Sequence, residues 1–191
     1  LFVKDDGSLW GFGNYRGLGE QVAQHPLYPT RLVPSGVKEV VSGIYHSLFI
    51  KTDGSLWGMG RNGKGQLGSG NTNLQEDPIQ IVAKNVLAAS SNYKHTMLIK
   101  TDGSLWGMGN NQFGQLGDGS TDNSSTPVKI VDSGVLDASA GASHIIFIKT
   151  DMEFNLKKAS ESILATIKNL FFNLDKRLII SLFIVSKQDF S

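Results

Sequence analysis

Three histidines stand at equal intervals, His46, His95 and His144, each 49 residues from the next (95 − 46 and 144 − 95). Imidazoles converging from equivalent positions could ligate zinc or nickel, and a single one could act as a general base. Both chemistries need unlike partners. A catalytic histidine requires a nucleophile and an orienting group, and a metal requires supporting ligands. Carboxylates at matching positions of the three copies are missing. Equal recurrence points instead to a hydrogen bond repeated between neighbouring elements of one repeated unit, so these histidines read as framework. His25 lies outside the pattern and reads as a loop residue.

Other motifs meet the same test. Gly58-Met59-Gly60-Arg61-Asn62-Gly63 satisfies Gly-x-Gly-x-x-Gly, and Gly58 to Lys64 resembles the start of a phosphate loop. A phosphate loop places Ser or Thr after its lysine, where Gly65 stands here, and it needs a helix N-terminus facing the phosphate. Asp118-Gly119-Ser120-Thr121-Asp122-Asn123 is oxygen-rich but lacks the spacing and closing glutamate of a calcium loop. Asn123-Ser124-Ser125 is a glycosylation sequon only in a chain secreted by a eukaryote. With no cysteine in 191 residues, thiolate metal sites, disulfides and thiol catalysis are excluded. No cofactor is expected, and no nucleophile–base pair or twin-carboxylate site points to an enzyme.

What positions these residues is a repeat. Asp-Gly-Ser-Leu-Trp-Gly occurs at Asp6, Asp53 and Asp102, with Gly7, Gly54 and Gly103 in the turns and Trp10, Trp57 and Trp106 four residues after each aspartate. A residue that recurs in every unit serves the unit's architecture. Asp-Gly is a strong hairpin signal, and each tryptophan reads as a packing anchor that buries its ring between sheets with its N–H bonded. The strands after the histidines, Leu48-Phe49-Ile50, Met97-Leu98-Ile99 and Ile145-Ile146-Phe147-Ile148, do not alternate apolar with polar, so both faces are expected to be buried. Pro78 and Pro127 are expected to open the last strand of their units. Small four-stranded sheets covered on both sides by their own copies describe β-propeller blades, with a four-stranded solenoid as the alternative.

The run histidine, apolar strand, Lys-Thr-Asp-Gly-Ser-Leu-Trp-Gly-x-Gly, Asn-x-x-Gly-Gln-Leu-Gly-x-Gly, then Pro and a Val-rich strand resembles the regulator of chromosome condensation repeat. Asn62 to Gly70 and Asn111 to Gly119 carry that signature. The resemblance implies a bladed propeller, usually of seven blades, and the near-identical copies with Asn/Thr/Ser-rich loops look like the bacterial branch. The expected fold is therefore all-β: a partial, open propeller of about three four-stranded blades with a C-terminal α-helical tail. Units are expected at 1–33, 37–82, 86–131 and 135–151, followed by a divergent segment at 152–191. The first unit departs from the pattern at Asn14-Tyr15-Arg16-Gly17-Leu18-Gly19, which lacks the glutamine. The opening at Leu1 reads as mid-strand, so a piece of a longer or processed protein is expected.

In the last segment glycine vanishes, and Ile163, Ile167, Leu170 and Leu174 recur at helical spacing. The apolar run Leu178 to Val185 is too short to span a bilayer, and the mixed charges argue against a membrane surface. The segment reads as a cap on the last blade, or as sequence foreign to the repeat.

A net charge of +1 provides no general field for nucleic acid. The expected function is a non-enzymatic scaffold that binds a protein through loops on one propeller face. Its contact residues should be those that vary between copies: Tyr15 and Arg16, then Arg61, Asn62 and Lys64, then Asn111, Gln112 and Phe113. The alternatives are guanine-nucleotide exchange on a small GTPase, which the resemblance implies for eukaryotic members, and a cell-surface or carbohydrate-binding module. The partial first and last units suggest a homo-oligomer that completes a blade. The compartment is left open, cytoplasmic or, with a signal upstream, secreted.

Overall fold

Apolar runs separated by Asp-Gly turns and glycine-rich loops become thirteen strands among the described residues, which are 1–13 and 27–150 of the computed structural model. Residues Leu1–Thr150 form one unit and Asp151–Ser191 another. The expected tail helix, Tyr15, Arg16 and His25 lie outside the described residues. The first sheet holds β1 (Phe2–Val3), β2 (Leu9–Gly11) and β3 (Thr30–Val33). The second holds β4 (Val37–Ser42), β5 (His46–Lys51), β6 (Leu56–Gly60) and β7 (Gln75–Val82) in sequence order. The third repeats it with β8 (Val86–Ser91), β9 (His95–Lys100), β10 (Leu105–Gly109) and β11 (Ser124–Val131). Finally β12 (Val135–Ala140) pairs with β13 (Ile145–Lys149). All pairings are antiparallel, the sheets are open, and no helix occurs among the described residues. β7 and β11 begin three residues before Pro78 and Pro127, so the prolines sit inside edge strands, where a missing N–H costs no ladder bond.

Every residue of the repeated hexapeptide has a task. Asp53 Oδ1 accepts from the Ser55 amide at 2.9 Å and its hydroxyl at 2.6 Å, and Trp57 Nε1 donates to Ser55 Oγ at 2.8 Å. The Asp6 and Asp102 copies make the same bonds. The serine hydroxyl, with the serine amide second, holds all three carboxyls below the usual carboxylate range. Lys4, Lys51 and Lys100 place their ammonium groups over the indoles at 3.9, 4.1 and 3.9 Å. The tryptophans are thus half-buried rather than sunk between sheets, because one ring face is covered by a lysine. Leu9, Leu56 and Leu105 are fully buried. The glycines after Trp57 and Trp106 leave room for neighbours: a β-carbon on Gly58 would lie 2.8 Å from Ile81 Cδ1 and 2.9 Å from both Leu48 Cδ2 and Leu67 Cδ2, and one on Gly107 2.8 Å from Ile130 Cδ1.

The turn glycines join the units. Val37 N donates to the Gly7 carbonyl at 2.9 Å, Val86 N to Gly54 at 2.9 Å and Val135 N to Gly103 at 3.0 Å. Each linker is also held from its own unit, since Thr52 N donates to Gly36 O and Thr101 N to Asn85 O, both at 2.9 Å. Gly7, Gly54 and Gly103 have φ of +73°, +77° and +75°, and β-carbons there would stand 2.9, 3.2 and 2.8 Å from the next linker's amide nitrogen. Only glycine meets both demands.

The cores lie between units rather than inside them. Leu9 and Val33 of the first pack with Val37, Phe49 and Met59 of the second. Leu48, Ile50, Leu56 and Leu67 of the second pack with Val86, Leu98 and Met108 of the third. β5 and β9 are buried on both faces, as an uninterrupted apolar strand demands. β13 is not: Ile146, Phe147 and Ile148 are exposed, since no further sheet covers them among the described residues.

Buried His46 also spans two units. Its Nε2 lies 2.7 Å from Ser91 Oγ and 3.2 Å from Thr96 Oγ1, and the Thr96 hydroxyl donates to the Gln66 carbonyl at 2.8 Å. The bond expected within every blade is instead made between blades, and by this histidine alone. One period on, Ser91 and Thr96 become Ala140 and Ile145 (91 + 49 and 96 + 49). Buried His95 therefore has no partner on either ring nitrogen, and His144 is exposed. Burial, aided by nearby His95, pushes His46 down to about 4. Burial also lowers His95.

Two consequences are measurable. Gly103→Ala should destabilise the fold by roughly 1–3 kcal/mol in urea unfolding, because the strained φ and the lost clearance add. His46 is neutral when folded at about 4 but titrates near 6.5 when unfolded, so its contribution is complete above pH 6.5 and declines as pH falls toward 4. The loss amounts to at most roughly 3 kcal/mol. His46→Gln should flatten urea-derived stability against pH across that window, and an unchanged slope would show that His46 does not drive it.

Candidate protein-binding surface

Antiparallel order puts the turns before each histidine and the long glycine-rich loops at one end of the sheets, opposite the Asp-Gly hairpins. Arg61 N donates to the Tyr45 carbonyl at 2.7 Å and Asn110 N to Lys94 at 2.8 Å, which ties each loop to its turn. Neighbouring units meet there too, with Ile44 N donating to the Asn92 carbonyl at 3.3 Å.

The loops are shaped from inside. Asn62 Oδ1 accepts from Leu67 N at 2.9 Å, and its Nδ2 donates to Ser69 Oγ at 3.0 Å and Asn71 O at 2.9 Å. Asn111 repeats this with Leu116 N at 2.9 Å, Asp118 Oδ1 at 3.0 Å and Ser120 O at 3.1 Å. Gln66 and Gln115 accept from Lys64 N and Phe113 N, each at 2.9 Å. Both asparagines are fully buried. They were expected among the contact residues, and the structure moves them into the framework. Their side chains close the loop, and their own amide groups keep no donor for a partner. Lys64 is half-buried, while Arg61, Gln112 and Phe113 are exposed, Phe113 by 75%. The Gly58–Gly63 motif runs from strand into loop with no helix, so it offers no phosphate cradle. Asp118 is engaged by Ser120 N and Oγ at 2.9 Å, and those bonds, the amide first, lower its pKa.

Residues not singled out from sequence complete the surface. Ile44 and Tyr93 are exposed by 52% and 40%. The Arg61 guanidinium stands 5.3 Å from the Tyr45 ring centre, and Lys94 Nζ stands 4.6 Å from that of Tyr93. The signal for them was present, because the two positions before each fixed histidine read Ile44-Tyr45, Tyr93-Lys94 and Ala142-Ser143. Residues 43–45, 61–74 and 92–94 contain Arg61, Lys64 and Lys94 but no acid, whereas the next loop carries Asp118 and Asp122. The second and third units thus join an aromatic, basic strip to a more acidic one.

Similar proteins share this architecture. Human WBSCR16 superposes with a TM-score of 0.68 at 25% identity, over 77% of this chain and 41% of that one. Prp20p from Saccharomyces cerevisiae, in a structure described with its binding properties to Gsp1p and histones, gives 0.70 at 19% identity, over 79% and 41%. Yeast RCC1 (Prp20) bound by Kap60 gives 0.66 at 19% identity, over 83% and 42%. The chain spans less than half the length of these propellers. Its repeats match the regulator of chromosome condensation (RCC1) repeat at residues 53–99 and 102–148, and a second profile of that repeat at 37–66 and 86–115. With strand order, hairpin chemistry and loop signature all in agreement, the chain belongs to the RCC1-repeat family of β-propeller proteins.

Proposed function

We propose that this chain is a non-enzymatic scaffold that binds a protein partner at the loop end of its sheets. The observation that carries the reading is the loop-end set of exposed Ile44, Arg61, Tyr93 and Phe113 beside half-buried Tyr45 and Lys94, set on a framework whose recurring polar groups are turned inward. Tyrosine and arginine beside apolar side chains are the types enriched where binding energy concentrates. The solved propellers of like fold that bind Gsp1p, histones and Kap60 support a protein partner of this kind. The indoles do not favour a sugar platform, since each has a lysine over its ring face. Guanine-nucleotide exchange is a narrower form of the same reading, supported by the Gsp1p-binding neighbour. Nucleotide release from small GTPases would single it out.

Affinity capture with the 191-residue chain tests the proposal. Arg61→Ala, Tyr93→Ala and Phe113→Ala should each weaken capture of the bound protein by about tenfold or more, with melting temperatures unchanged. Asn111→Ala should behave in the opposite way, destabilising the fold by about 1–3 kcal/mol through the buried Leu116 amide it leaves unpaired. Capture unaffected by all three surface variants would reject the loop end as the binding face.

A further inference from the structure

The strip at the loop end is built by the two complete four-stranded units, the second and the third. Three main-chain bonds draw it as one line: Arg61 N to Tyr45 O at 2.7 Å, Ile44 N to Asn92 O at 3.3 Å and Asn110 N to Lys94 O at 2.8 Å. The second unit's loop is seated on the third unit as well. Gly70 N donates to the Ser125 carbonyl at 2.8 Å, and a β-carbon on Gly65, whose φ is +80°, would stand 2.5 Å from Ser125 Cα. The side chains along this line are therefore mounted on fixed backbone, which lowers the cost of ordering them around a partner.

Charge along the line has one sign. Arg61, Lys64 and Lys94 take no part in an ion pair among the described residues, where Lys129 and Asp132 supply one at 3.4 Å. Glu76 and Asp77 follow on the outer strand β7 and have contacts of their own. Arg61 rests 5.3 Å from the Tyr45 ring centre and Lys94 4.6 Å from that of Tyr93. A ring holds its cation in place without neutralising it, so the charge stays available to an anion on its outer side. The same contact takes up a face of each tyrosine, which a nucleic-acid base would need for stacking. Further along the third unit's loop, exposed Asp118 and Asp122 end the positive stretch. They repel a long polyanion and leave room for a short one.

We propose that the loop end recognises a short acidic peptide segment of its partner, in which carboxylates stand beside apolar or aromatic side chains. The inference rests on the reading of this end as a protein-binding face and adds the chemistry of what is bound there. Carboxylates of the segment meet exposed Arg61 and half-buried Lys64 and Lys94, with the Arg61 guanidinium able to hold one of them by two donors. Its apolar side chains lie against Ile44, Tyr93 and Phe113, which are exposed by 52%, 40% and 75%. Apolar burial supplies most of the affinity, while the cations select the sign of the partner and speed its approach.

A phage-displayed library of random dodecapeptides, panned on the full 191-residue chain, tests this chemistry. Selected sequences should be enriched roughly threefold or more in Asp and Glu over the unselected library, beside Leu, Phe, Tyr or Trp. A labelled peptide from that set should bind about tenfold more weakly to the Arg61→Glu, Lys94→Glu double variant, whose melting temperature should match that of the unaltered chain. Replacing the peptide's carboxylates by amides should cost a similar factor, and added NaCl should weaken binding. Peptides without acid enrichment that still lose affinity with Tyr93→Ala or Phe113→Ala would overturn the acidic segment and leave the loop end as a protein-binding face. Acid-rich peptides that bind the double variant as tightly as the unaltered chain would overturn the proposal, since their site would lie elsewhere. A library that yields no binding peptide would overturn it too, as would single-stranded oligothymidylate bound more tightly than any selected peptide.

Discussion

One backbone hydrogen bond holds this array together: the carbonyl of the glycine in each Asp-Gly hairpin accepts from the first paired amide of the following unit. It is made at Gly7, Gly54 and Gly103 with nearly identical geometry. The contact is backbone to backbone, so it is independent of which side chains fill the sheet faces. It nevertheless dictates the residue that supplies the carbonyl, because a β-carbon would collide with the next linker and the φ lies in the left-handed region. Everything around the turn follows from that demand. Aspartate closes the turn on serine, serine holds the indole N–H, and the indole carries the preceding lysine.

Because the units are joined at that point, their cores form between them. Each cluster draws residues from two consecutive units, so no single repeat buries its own apolar face. The same logic accounts for what is exposed. Phe12 and β13 carry the side chains of internal units without the neighbours that cover them, while Met59, Met108, β5 and β9 are enclosed.

The framework also separates structure from recognition. The amide-bearing residues of the loop signature point inward, where Asn62, Asn111, Gln66 and Gln115 bond loop amides. What remains outside is carried by variable positions in and beside the signature, with Ile44, Arg61, Tyr93 and Phe113 exposed and Tyr45 and Lys94 half-buried next to them. A rigid set of internal bonds thus presents side chains that are free to differ from unit to unit.

Recurrence in the chain was enough to establish an all-β repeat, the place of each hairpin, the family, and the turn role of Asp53 and Gly54 with their copies, because these depend on local turn chemistry and on residues that return at a fixed period. Tertiary structure alone decided the rest. It showed that Asn62 and Asn111 are buried, that the His46 bond crosses to the next unit, and that His95 loses that bond where Ala140 and Ile145 replace Ser91 and Thr96. It also showed that the indoles are roofed by lysines. The reason is physical. A linear pattern reports which residues recur, but whether a side chain faces its own sheet, the neighbouring unit or solvent depends on contacts with residues a full period away.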